Sequence, residues 1–143
     1  MRLRMEAFVK SSQQQIISAI ESLEPEQRFR IDSWLRPEGG DGISAVLQDG
    51  KVFEKAGVMV SVVHGKLGSA AVEKMRADHS KIQPNPTGQT PFFACGISLV
   101  LHPVNPHAPT VHMNYRFFEI ENGDGTQTSW FGGGTGINRL QLS

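Results

Sequence analysis

Three of the five histidines fall within eleven residues, at His102, His107 and His112. Imidazole exchanges a proton near neutral pH and is also a common metal ligand. Asn114 and Arg116 follow His112 at a spacing of two, and Ser98 stands four residues before His102. In an extended strand, residues two apart share a face. His112, Asn114 and Arg116 thus set an imidazole, a carboxamide and a guanidinium in one row. A guanidinium forks onto a carboxylate or phosphate. Such a row offers several hydrogen-bonding groups to a polar ligand.

These residues need an antiparallel frame. Phe93–Leu101 reads as a strand, Thr110–Ile120 as a second and Thr128–Gly132 as a third. Between the first two, Pro103, Pro106 and Pro109 remove donors and exclude regular structure from 102–109. Asn122-Gly123-Asp124-Gly125 is a turn. If 102 pairs with 112, then 98 pairs with 116. One sheet face then carries Ser98, His102, His112, Asn114 and Arg116, with His107 hanging over its end. The other face takes Val111, Met113, Tyr115 and Phe117. Three readings fit the polar face. A polar ligand lies on it; it is a solvated face; or His102 and His112 hold zinc, with no third ligand evident.

The rest of the chain supplies cover. Met5, Phe8, Ile16, Ile20 and Leu23 predict an amphipathic helix ended by Glu24-Pro25, with Lys10, Ser11, Gln13, Gln14 and Glu21 on its polar side. Arg28–Ser33 alternates as a short strand. Gln48-Asp49-Gly50 between Ile43–Leu47 and Val52–Phe53 is a hairpin signal. Gly57–Val63 is a buried strand closed by Gly65. Ser69–Ala77 is a helix that Ser69 can cap, and 78–89 is a polar loop. Trp34, Trp130, Phe92 and Phe93 are expected in the core, His64 is structural, and Cys95 is a small buried residue pointing away from the polar face. The class is α+β, a flat antiparallel sheet flanked by helices.

Composition removes several functions. The chain has 143 residues, one domain's worth, with 14 Lys plus Arg against 14 Asp plus Glu. No bulk charge draws it to nucleic acid. No apolar run approaches the roughly 18 residues of a membrane span. One cysteine excludes an internal disulfide and a multi-cysteine zinc site. The N-terminus has no targeting pattern, and a cytoplasmic location is expected. The glycines of Glu38-Gly39-Gly40-Asp41-Gly42 lack the Lys-Ser/Thr of a phosphate loop.

Longer strings carry more. Glu38–Ser44, Val46–Gly50, Phe53–Val58, Ser61–Gly65, His102–Arg116 and Trp130–Gly134 stand in an order that resembles the oxygen-dependent coproporphyrinogen III oxidases. The resemblance covers about Met5 to Thr135, with Asp41 where that family's glycine tract continues. It breaks between Thr135 and Gly136, where the family continues into a second half. Residues 1–135 are therefore expected to be the N-terminal half of such a domain and 136–143 an unrelated tail.

The resemblance implies oxidative decarboxylation of two propionates of coproporphyrinogen III to vinyl groups, giving protoporphyrinogen IX in haem biosynthesis. It implies no organic cofactor, molecular oxygen as co-substrate, a divalent metal in some members, and a homodimer. It places a proton-donor histidine on His112, substrate contacts on Ser98, Asn114, Tyr115 and Arg116, and metal histidines on His102 and His112. It leaves two functions open: the oxidase itself, or a catalytically inactive truncated form that binds porphyrin or a full-length partner. Either way, Val58–Val63 and Phe92–Leu101 are expected to be left uncovered without a second half, favouring association.

Overall fold

The computed structural model describes residues 1–138. Its elements run α1 (Arg2–Leu23), β1 (Arg30–Leu35), β2 (Gly40–Gln48), β3 (Phe53–Gly68), α2 (Ser69–Arg76), β4 (Gln89–Pro103), β5 (Thr110–Glu121) and β6 (Gln127–Asn138). The strands form one antiparallel sheet in sequence order, β1 to β6, with β1 and β6 as edges. This is the expected α+β arrangement.

Helix α1 lies across one face. Its buried stripe is Val9, Gln13, Ile17 and Ile20, with Met5 and Ile16 packed beside it. Phe8 and Leu23, expected in that stripe, are more than half exposed. Gln13, expected on the polar side, is wholly buried, and its Nε2 donates to the carbonyls of Ile43 and Val58 at 2.9 Å each. One carboxamide thus pins the helix to two neighbouring strands. Arg2 adds a charged tie, its Nε 2.5 Å from the buried carboxylate of Glu119 on β5. Beneath the helix lie Ala45, Leu47, Val58, Val60, Val62, Phe93 and Phe117. Each large apolar side chain buried there contributes roughly 1.5–3 kcal/mol.

Val58–Val63 and Phe92–Leu101 are therefore not bare. They form the central strands β3 and β4, their edges are paired on both sides, and alternate residues are covered by α1. Phe8 and Phe131, 61% and 66% exposed, are among the large apolar side chains that do stand uncovered.

Several bounds differ from the sequence reading. Phe53 and Gly57–Val63 belong to one strand, with Val52 just before it, and that strand passes Gly65 and runs to Gly68 because β4 is long enough to pair with it. Gly68, not Ser69, stands at the N-cap of α2, and no side chain caps that end. β6 continues past Gly132 to Asn138, paired with β5 as far as Thr110. The tail expected from Gly136 thus begins inside this strand, and its Arg139–Ser143 part lies outside the described residues. Trp34, expected in the core, is 39% exposed on edge strand β1, its ring lying over Gly42.

Helix α2 covers only one end of the opposite face, where Val72, Ile82 and Ile120 form a small second core with Phe92, Phe118 and Trp130 beside it. Phe92, Phe118, Trp130 and His79 stack in sequence, with centroid separations of 5.6, 4.9 and 4.0 Å. The remainder of this face is open.

Candidate functional site

The open face holds the polar row. Ser98 is cross-strand from Asn114, Gly96 from Arg116 and Val100 from His112. The expected register set 102 against 112, and the observed one is shifted by two. The connection from Pro103 to Pro109 closes tighter than assumed, with the amide N–H of Ala108 donating to the Asn105 carbonyl and that of His107 to Asn105 Oδ1. A shift of two preserves the face. Ser98, His112, Asn114 and Arg116 therefore stand together. His102 shares their face beyond Val100, its Nδ1 3.3 Å from Thr110 Oγ1. His107 sits in the exposed loop and joins none of them. Tyr115 points to the α1 face, as its parity requires, and its hydroxyl lies 2.8 Å from Thr135 Oγ1.

A depression of about 340 Å³ lies among Ser61, Ser98, Asn114 and Arg116, walled by Phe92 and Phe118. It starts where the α2 cover stops. Beside it runs a strip that sequence reasoning passed over. Gly132, Gly134 and Gly136 of β6 are cross-strand from Arg116, Asn114 and His112. A Cβ on Gly134 would meet nothing within 4 Å, and on Gly132 or Gly136 only an Arg116 or His112 side-chain atom at 3.9 or 4.0 Å. The fold therefore has room for side chains at all three. Glycine weakens a strand, so the strip is not explained by strand formation. It leaves bare backbone next to the three polar side chains. The period of two in Gly-Gly-Gly-Thr-Gly was the available signal.

The metal expectation finds little support in the ligand set. His102 and His112 are diagonal rather than opposite, and the described residues contain no group of three His, Cys, Asp or Glu able to hold an ion. Cys95 lies on the α1 side; burial pushes its thiol up to about 11, with the Glu6 charge adding to the shift, so it is no nucleophile near neutrality.

The family model for coproporphyrinogen III oxidase matches residues 4–140. The chain belongs to the coproporphyrinogen III oxidase family. Relatives include the human mitochondrial oxygen-dependent coproporphyrinogen-III oxidase, 48% identical over all of this chain and 31% of its own length. The Drosophila melanogaster oxygen-dependent enzyme is 51% identical over 99% of this chain and 36% of its own. The chloroplastic coproporphyrinogen-III oxidase 1 of Arabidopsis thaliana is 48% identical over 94% and 35%. This family member thus spans about a third of the length of these three relatives. Among the described residues, no helix is long and apolar enough to cross a membrane.

Proposed function

We propose that this chain carries the substrate-gripping N-terminal part of an oxygen-dependent coproporphyrinogen III oxidase. The supporting observation is the open face, where His112, Asn114 and Arg116 stand in line beside Ser98 and against bare glycine backbone. A tetrapyrrole with four propionates needs a wide surface and fixed donors. Arg116 forks onto one carboxylate. Ser98 and Asn114 hydrogen-bond the ligand, and His112 moves a proton. The ligand-edge contact of the Asn114–Arg116 segment falls to its even residues, while Tyr115 supports the strand from behind.

In this reading each reacting propionate loses carbon dioxide, a proton and two electrons to become a vinyl group, and molecular oxygen accepts the electrons. The electron-rich porphyrinogen supplies the reducing equivalents, so no organic cofactor is required. A homodimer and a cytoplasmic location complete the proposal; the human and Arabidopsis relatives carry organelle names, so cell fractionation decides the latter.

Titration of the purified chain with coproporphyrin III, followed by tryptophan quenching, tests the binding role. Saturable binding supports it. No saturable binding overturns it.

A further inference from the structure

Resting on that reading, we propose that Lys55 is a second carboxylate anchor, gripping the ligand at the edge opposite Arg116. Lys55 is exposed on β3 and is cross-strand from His102, beside a register shift that follows Phe53. His102 lies on the open face, so Lys55 does too. Among the described residues neither Lys55 nor Arg116 takes part in an ion pair. The other strand cation of this face, Arg30, is already paired with Asp32 at 3.3 Å. The chain's charges balance overall, yet this part of the face gathers Lys55, His102, His112 and Arg116 with no carboxylate paired to them. Lysine is depleted in strands, and the two unpaired cations, Lys55 and Arg116, focus potential onto an anion.

The spacing fits one large ligand. The cross-strand partners of Arg116 and Lys55 are Gly96 and His102, both on β4. Six residues of strand span about 20 Å, and the two cations stand two strands, about 10 Å, apart across the sheet. Both side chains are long and flexible, and they bracket Ser98, Asn114 and His112. A macrocycle with carboxylates on opposite edges reaches both. One with carboxylates on a single edge reaches only one. Lys55 thus selects the tetracarboxylate over a dicarboxylate.

The test titrates coproporphyrin III, with four carboxylates, and mesoporphyrin IX, with two on one edge, into the chain and its variants. Lys55→Gln is expected to weaken coproporphyrin III about tenfold, one charge-assisted contact, and to leave mesoporphyrin IX within about twofold. Lys55→Arg is expected to restore most of the loss. An unchanged thermal midpoint shows that Lys55→Gln folds. If Lys55→Gln changes neither ligand, or both equally, while Arg116→Gln weakens coproporphyrin III, the Lys55 role is overturned and the binding-face reading stands. If the unaltered chain binds neither porphyrin, both are overturned.

Discussion

The carboxylate of Glu24 occupies the space that a side chain on Gly50 would fill: a Cβ built there would lie 2.5 Å from Glu24 Oε2. Glu24 is the buried C-cap residue of α1, and it accepts the amide N–H groups of Lys51, Val52 and Phe53 at 2.9, 2.8 and 3.2 Å. The helix end thereby closes the β2–β3 hairpin. Gly50→Ala is expected to cost about 1–3 kcal/mol, the range for forcing atoms into a packed site, measured as a lower urea midpoint.

The same contact gives the fold an acid limit. Burial alone would raise the Glu24 pKa, but the amide donors of Lys51, Val52, Phe53 and Glu26 outweigh it and bring it from 4.5 to about 2. A depressed folded-state pKa stabilises above the unfolded value and is lost as pH falls through the folded one. Stability from this group is therefore full above about pH 4.5 and drains away toward pH 2. Glu24→Gln should be less stable near neutrality and lose less over that window. Thermal midpoints of both proteins against pH check it; parallel curves would contradict it.

Arg116→Ala should weaken coproporphyrin III binding by ~1.5–3 kcal/mol, the range for hydrogen bonds to charged groups. Arg116 is exposed and has no ion-pair partner among the described residues, so its loss leaves no buried group stranded and the thermal midpoint should hold. An affinity equal to that of the unaltered chain would remove Arg116 from the ligand's contacts.

Gly134→Val should keep or raise stability, because the added Cβ meets nothing and valine suits a strand by roughly 0.5–1 kcal/mol over glycine. It should nevertheless reduce porphyrin affinity at least tenfold by standing where the macrocycle lies. Calorimetry of the variant with and without coproporphyrin III separates the two effects; undiminished binding would show that the strip is not covered by ligand.

An apolar groove of about 410 Å³ runs between Phe8 and Val9 of α1 and Met113, Tyr115, Phe117 and Phe131 of the sheet. At ~25 cal/mol per Å² of apolar surface removed from water, covering this groove favours association by about 2–3 kcal/mol. The purified chain should run above 15.7 kDa in size-exclusion chromatography with light scattering. Phe8→Ser with Phe131→Ser should move it toward the monomer mass. A monomer peak for the unaltered chain at high concentration would show that the groove attracts nothing.

The strand frame and the shared face of Ser98, His112, Asn114 and Arg116 were legible because a period of two survives a register error of two. The packing of α1 was not, since Gln13 looks like a solvent residue until the two strand carbonyls it serves are known. Glu24 reads locally as a helix terminator, and its partners are 27 to 29 residues away. The glycine strip shows its sense only when β6 is laid against β5 along its whole length. Lys55 gained meaning from its neighbour His102, 47 positions on in sequence.

β5 is a strand read from both sides. Met113, Tyr115 and Phe117 wall the groove beneath α1, while His112, Asn114 and Arg116 address the open face. A substitution scan from His112 to Phe117 should therefore beat with a two-residue rhythm, odd positions registering as misassembly and even ones as lost recognition. The backbone between them is common to both faces.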